Sequence, residues 1–343
     1  MNVQEALAVI VEGQNLSTQQ TQEVFHLIMT GAATPAQIGA FLAAIRVKGE
    51  TAEEIAGAAL VMRELSTKVP VSDPHLVDTC GTGGSGVKLF NISTAAAFVT
   101  AAAGAKVAKH GNRKMTSFSG SADVLEAAGV NLELNPEQIA RCVTEVGVGF
   151  MFAPAHHSAM RHAGPVRQEI GVRTMMNVLG PMTNPAGARR QVIGVFSPLW
   201  QEKMAQVLAL LDAEHALIVH SDGLDEIRLD APTRVVELKD GSIDSYEISP
   251  SDVGINPQTS DACSTLAADS VESSLALFQT ALQEPDSLAA DIVSMNAGAA
   301  IYAAGVATSM QHGVSMAQDA IAAGLAKERL AELVRISKLM GEA

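Results

Sequence analysis

Four glycines, Gly81, Gly83, Gly84 and Gly86, fall within one short stretch that could cradle an anion. Lacking Cβ atoms, such a loop lets the backbone come close to a phosphate and turn its N–H groups toward it. Asn91, Ser93 and Thr94 follow where an Ala-rich helical segment begins, and a helix start adds more unpaired N–H groups. Between Asp78 and Asp123 there is no Asp or Glu, yet Lys88, Lys106, Lys109, Arg113 and Lys114 all lie there, in a chain of formal net charge −14. A basic island in an acidic protein points to a polyanionic small molecule rather than to a general surface property.

A second loop repeats the pattern. His110, Gly111 and Asn112 follow the run AKVAK at the expected carboxyl end of a strand, where open α/β sheets bind ligands. Ser117, Ser119, Gly120 and Ser121 then precede a helical run. Two such loops side by side fit a ligand with two phosphate groups. The serines alone are also ordinary helix caps, but capping does not call for the Lys and Arg before them.

GTGGSG satisfies G-x-G-x-x-G, but a dinucleotide site wants an acid roughly 20 residues on, and the acid-free basic stretch covers that position. A Walker A loop is excluded because Lys88 follows Val87 and no Ser or Thr comes next. Asp222, Asp225 and Glu226 follow the apolar run ALIVH. Carboxylates at that edge, across from a phosphate cradle, suit Mg²⁺ bound to pyrophosphate, although a solvated acidic turn accounts for them too. His156 and His157 are adjacent and diverge by about 100° in a helix, which argues against a shared zinc. One of the two facing a cleft and both lying on the surface are equally compatible with the spacing. Arg167 and Arg173 read as different faces of one helix, with one meeting a substrate carboxylate and the other anchoring the helix through neighbours such as Glu169.

These residues need an α/β scaffold. Capping boxes at Ser17/Gln20, Thr34/Gln37 and Thr51/Glu54 predict an N-terminal helical module, its apolar load in VFHLIM and AFLAAI high enough to engage another subunit. From Leu76 short apolar runs alternate with helical stretches, the signature of a mainly parallel sheet. A hairpin is predicted over 234–248, turning at Asp240-Gly241. The segment from Ala155, interrupted by Gly164-Pro165, reads as an excursion back onto the N-terminal bundle. That gives a helical domain of 1–72 with 155–187, and an α/β domain of 73–154 with 188–343. The small-residue run NAGAAIYAAG predicts a helix lying very close to the sheet.

Composition narrows the function. At 343 residues two domains are the prior, and 48% hydrophobic with only 3% aromatic content suits Ala-, Val- and Leu-rich helices on a sheet. The acidic charge argues against nucleic acid as a partner. Cys80, Cys142 and Cys263 show no CxxC or Cys/His spacing. No run reaches ~18 apolar residues and no signal-peptide pattern opens the chain, so a soluble, unprocessed cytoplasmic protein with no membrane partner is expected.

GTGGSG, NIST, KHGNR, SGSADVLEAAGV, FAPAHH, VRQEIGVRT, NVLGPMTNP, GLDE and NAGAAIYAAG, in this order, resemble the anthranilate phosphoribosyltransferases over essentially the whole chain. The resemblance implies phosphoribosyl transfer from phosphoribosyl pyrophosphate (PRPP) to the amine of anthranilate, in tryptophan biosynthesis, with Mg²⁺ and a homodimer through the N-terminal helices. By position it assigns PRPP to Gly81, Gly84, Ser85, Leu89, Asn91, Ser93, Thr94, Lys109, Gly111, Asn112, Arg113, Ser117 and Ser121. It assigns anthranilate to Gly81, His110, Asn112, His157 and Arg167, and the metal to Ser93, Asp225 and Glu226. No covalent intermediate is implied. The sequence departs from the family pattern at Ser85, where the loop usually has an acid, at Leu89, and at Lys114 and Phe118 in the second loop. A pyrimidine nucleoside phosphorylase and a non-catalytic nucleic-acid-binding relative are the competing assignments.

Overall fold

The computed structural model describes residues 1–84, 88–114 and 118–341; Ser85, Gly86 and Ser117 lie outside the described residues. Four helices open the chain: α1 (Val3–Val11), α2 (Thr18–Met29), α3 (Pro35–Lys48) and α4 (Ala52–Glu64). All three expected capping boxes form, and Asn2 with Glu5 makes a fourth at α1. Each cap satisfies amides that would otherwise be unpaired at a helix start, so four short helices can begin at defined positions. Gly49 ends α3 at φ 92°.

The second half of the fold alternates strands and helices. In order come β1 (Leu76–Gly81), α5 (Ile92–Ala102), β2 (Lys106–Gly111), α6 (Ser121–Ala127), α7 (Pro136–Glu145) and β3 (Val148–Phe152). Next are the short α8 (Ala153–His156), α9 (Met160–Ile170) and α10 (Met176–Leu179), then β4 (Arg190–Gly194), α11 (Gln201–Leu210), β5 (His215–His220), β6 (Thr233–Lys239) and β7 (Ser242–Ile248). The chain closes with α12 (Ser260–Cys263), α13 (Val271–Gln283), α14 (Leu288–Ala303), α15 (Met310–Ala322) and α16 (Leu325–Gly341).

The seven strands form one sheet in the order β3-β2-β1-β4-β5-β6-β7. The first five are parallel, while β6 and β7 are antiparallel and form the expected hairpin, with Asp240 and Gly241 both at positive φ. The chain runs outward from β1 to β2 and β3, then returns to β4 on the other side of β1. The carboxyl ends of β1 and β4 therefore flank a topological switch point, where open α/β sheets leave a crevice.

Strand alternation divides the core between the two faces. Val192, Leu217 and Val219 pack with α5 and α13 to α16, whereas Ile193, Ala216 and Ile218 pack with the N-terminal helices, α9 and α11. The segment after β3 does return to the N-terminal bundle: α9 packs on α2 and α3, and the ring of His162 lies where a Cβ on Gly31 would stand. Two expectations are corrected here, for Pro165 and for Lys106. Pro165 does not interrupt the helix but sits inside α9, because the carbonyl it leaves unpaired costs little at the exposed Arg161. The NAGAAIYAAG helix, α14, packs on β1, β4 and β5, and it also meets α15 backbone to backbone at Gly298 and Gly313. Lys106 starts β2, at the opposite end of the strand from the glycine loop, and donates to the Thr144 carbonyl at 2.8 Å.

Candidate active site

The crevice is built on two bare backbones. Gly81 and Gly194 are register partners at the ends of β1 and β4, and Asp225 lies across both. A Cβ on Gly194 would overlap the Asp225 main chain, and one on Gly81 would come within 2.5 Å of Asp225 Oδ2. The acidic loop after β5 can lie there only because neither residue has a side chain. That loop is held from behind by Asn296 of α14, whose amide donates to the Ile227 carbonyl and accepts the Ile227 N–H, both at 3.0 Å. Asn296 is a buried polar residue within an Ala- and Gly-rich helix, and the clamp satisfies its side-chain amide.

Asp225 Oδ2 accepts the Gly83 amide at 2.9 Å, and Glu226 Oε1 accepts the Ser93 amide at 3.2 Å, at the N-terminus of α5. Burial, with the Asp225 charge adding to it, pushes the Glu226 carboxyl up to about 8. Lys109 stands opposite, its Nζ donating to the Thr79 carbonyl at 2.5 Å and to Ser93 Oγ at 3.4 Å. Burial lowers the Lys109 pKa, partly offset by the charge of Asp78. Asp78 is itself pinned. Its carboxylate accepts the His110 amide at 3.2 Å and the Asn184 side chain at 2.7 Å, and burial raises its pKa to about 6.

Asn91 precedes the first residue of α5 but does not cap it. Its Oδ1 accepts Ser119 Oγ at 2.6 Å and Ser274 Oγ at 2.8 Å, fastening the second loop to α5 and α13. Thr94 Oγ1 donates to Ser121 Oγ at 3.0 Å, so the two loops are joined side chain to side chain. Gly120 is the cap of α6, and Asp123 accepts its amide and that of Lys114, both at 2.8 Å. The Arg113 guanidinium is taken by Glu126, at 2.7 and 3.0 Å, and by Asp123. Lys88 lies over the exposed Phe118 ring at 4.3 Å.

Two cavities meet over this floor. One, of about 530 Å³, is lined by Gly81, Gly84, Leu89, Asn91, Ser93, Lys109, Gly111, Asn112, Arg113 and Ser121, together with Asp225 and Glu226. Of the described residues expected at the phosphates, only Thr94 lies off its wall, one layer beneath Ser121. The other cavity, of about 490 Å³, is more apolar and is lined by Met62, Met160, Met176, Leu179, Pro154 and Pro181 together with His110, His157 and Arg167. Gly81, Thr82, His110, Gly111, Asn112, Arg167 and Asn177 border both cavities and form the seam.

Both cavity-facing histidines are kept neutral. Burial, with His157 and His156 nearby, lowers His110 to about 3, and burial, with His156 and Lys68 nearby, lowers His157 to about 4; the His110 and His157 rings lie 5.0 Å apart. His110 Nε2 has no hydrogen-bond partner among the described residues. His156 is buried rather than on the surface and turns away to the Thr67 carbonyl at 2.8 Å.

The expectation for the arginine pair is corrected. The chain leaves α9 at Gly171, which is left-handed at φ 65°, so Arg173 is not on the helix and does not pair with Glu169. Instead it donates to the Gly84 carbonyl at 2.8 Å and stacks on Phe196 at 3.9 Å. Arg167 remains on α9, partly desolvated, with its pKa lowered by burial and no carboxylate in ion-pair range among the described residues.

Residues 4–66 match the glycosyl transferase family helical bundle domain, and residues 73–327 match the glycosyl transferase family a/b domain. The chain is 56% identical to the anthranilate phosphoribosyltransferase of Saccharophagus degradans, over 99% of this chain and 100% of that one. It is also 56% identical to that of Hahella chejuensis, over 100% and 99%. Among solved structures, the anthranilate phosphoribosyltransferase of Thermus thermophilus superposes with a TM-score of 0.91 at 42% identity, covering 97% of this chain and 99% of that one. The Saccharomyces cerevisiae enzyme, solved in complex with PRPP and Mg, shares the fold at a TM-score of 0.86 and 23% identity, covering 98% of each chain.

Proposed function

The chain belongs to the anthranilate phosphoribosyltransferase family, and from that premise we infer how its site carries the reaction. The protein transfers the 5-phosphoribosyl group of PRPP to the amine of anthranilate and releases pyrophosphate, a step of tryptophan biosynthesis. The C1′–N bond forms as the C1′–O bond breaks, the bonding pair leaves with pyrophosphate, and the nitrogen loses a proton. The observation that carries the assignment of roles is the seam: a polar cavity with a phosphate cradle shares a wall with an apolar cavity, and Arg167, with no carboxylate in ion-pair range among the described residues, stands on that wall.

Anthranilate occupies the apolar cavity, its ring among the methionines and prolines and its carboxylate on Arg167. Asn112, at the seam, and the neutral His110 and His157 line its path without adding charge. PRPP occupies the polar cavity, its phosphates held by the first loop, the start of α5 with Asn91 and Ser93, Lys109 and the second loop through Ser121, which Thr94 supports from beneath. Ser85 and Ser117 lie outside the described residues. An aromatic amine is already a neutral nucleophile at pH 7, so catalysis rests on positioning and on stabilising the leaving group.

The donor set fits Mg²⁺. Asp225 and Glu226 are adjacent carboxylates on the half-buried floor of the polar cavity, Glu226 held up to about 8 by burial and by the crowding of its neighbour, and the Ser93 hydroxyl is in hydrogen-bond contact with it. Hard oxygen donors around a pair of repelling acids suit a hard divalent cation, which when bound would neutralise charge on the pyrophosphate leaving group. The yeast relative solved with PRPP and Mg supports this.

Residues 1–72 with 155–187 form the helical domain in this proposal, and α1 and α3, with Val11 and Val47 68% and 89% exposed, offer the homodimer face. No helix among the described residues is long and apolar enough to cross a membrane. One pyrophosphate released per anthranilate consumed is the test. Phosphorolysis of a pyrimidine nucleoside without anthranilate would favour the phosphorylase instead.

A further inference from the structure

We propose that Arg173 is a binding residue for the pyrophosphate group of PRPP, set in place by the Gly84 carbonyl. The proposal rests on the functional reading above. Arg173 lines the polar cavity near its mouth, exposed, and no carboxylate lies in ion-pair range of it among the described residues. Its guanidinium lies over the Phe196 ring at 3.9 Å, and one of its five donors is spent on the Gly84 carbonyl at 2.8 Å. A planar fork fixed on one face and one edge keeps its other N–H groups aimed in a set direction. A phosphate can accept from two of them at once.

Among the other cations of the cavity, Arg113 is neutralised by Glu126 and Asp123, Lys109 is buried against Thr79 and Ser93, Arg167 stands on the seam with the apolar cavity, and Lys88 lies over the Phe118 ring of the second loop. Position then selects the end of the ligand. Asp225 accepts the amide of Gly83, and Arg173 donates to the carbonyl of Gly84, so the candidate metal ligand and Arg173 grip neighbouring residues of one loop. The part of PRPP that lies beside the metal is its pyrophosphate.

Gly84 supports the same arrangement. It is left-handed at φ 81°, and a Cβ there would overlap the Arg173 guanidinium. The loop backbone and the arginine fill each other's space, so moving one moves the other. The sequence concealed this because the six-residue spacing from Arg167 reads as helix, while Gly171 ends the helix between them.

The test is calorimetric titration of the full-length protein with pyrophosphate in the presence of Mg²⁺, alongside steady-state kinetics. For Arg173→Ala the Kd for pyrophosphate and the KM for PRPP should each rise about tenfold or more, with the KM for anthranilate changed less than about threefold. Arg173→Lys, which keeps the charge but not the fork or the stack, should fall between. Phe196→Leu should weaken pyrophosphate binding while leaving the charge in place. A pyrophosphate Kd for both Arg173 variants within about twofold of the parent, in samples melting at the parent's temperature, overturns the proposal. A parent protein that binds neither pyrophosphate nor PRPP overturns the functional reading as well.

Discussion

The Asp225 carboxylate accepts the Gly83 amide at 2.9 Å, tying the acidic loop after β5 to the glycine loop after β1. Both loops emerge at the switch point of the sheet, and the bond exists only because Gly81 and Gly194 present bare backbone beneath Asp225.

Gly194→Ala tests that dependence. Gly194 is not at positive φ, so the added methyl acts through its overlap with the Asp225 main chain rather than through backbone strain. The expected cost is about 1–3 kcal/mol of stability, as for overpacking elsewhere. A rise in the KM for PRPP should exceed any rise for anthranilate. Thermal melts and initial rates check both.

Removing charge from the acidic pair acts on the metal. Asp225→Asn with Glu226→Gln keeps the hydrogen-bonding shape toward Gly83 and Ser93 but removes the anionic donors. Turnover should fall by about a hundredfold or more at any attainable Mg²⁺ concentration, consistent with loss of one electrostatic stabiliser of a transition state. Titrating Mg²⁺ against rate is the measurement, and unchanged activity would refute the assignment.

Arg167→Ala should raise the KM for anthranilate by about tenfold or more and the KM for PRPP much less, because the guanidinium has no carboxylate in ion-pair range among the described residues and borders the apolar cavity. Equal rises in both constants would place Arg167 at the seam without a role in carboxylate recognition.

The neutral histidines predict a pH dependence of stability. His110 and His157 are lowered from 6.5 to about 3 and about 4 in the fold. Below about pH 6.5 the unfolded chain takes up protons that the native protein refuses. Their contribution is therefore complete above that pH and is lost as pH falls toward the folded values, by about 1.4 kcal/mol per unit for each ring while the states differ by one proton. Replacing His157 by Asn should shrink the fall in melting temperature between pH 7 and pH 5. An equal or larger fall in the variant contradicts the buried neutral pair.

Much of this architecture was legible because it depends on local chemistry. Ser17, Thr34 and Thr51 announce their helices through pairings three residues away, and Asp240-Gly241 announces a hairpin through the backbone conformation it requires. The glycine loop at the carboxyl end of β1 was legible for the same reason, in its run of glycines. What depended on tertiary placement was hidden. Lys106 and Lys109 are three residues apart on one strand, yet one donates to Thr144 and the other lies under the cradle. Asn91 looks like a helix cap but serves as a link between loops, since Ser119 and Ser274 reach it from segments distant in sequence. Asn296 carries no motif for its role, because the Ile227 backbone it clamps is 69 residues away.

The central claim is that the two cavities hold anthranilate and PRPP against each other. Anthranilate is fluorescent, so its signal followed after adding PRPP and Mg²⁺ to the folded protein tests that claim most directly. A progressive loss of fluorescence that requires both additions, with pyrophosphate appearing in equal amount, is the predicted result. No loss of fluorescence, in a sample that melts cooperatively and binds PRPP, would contradict it.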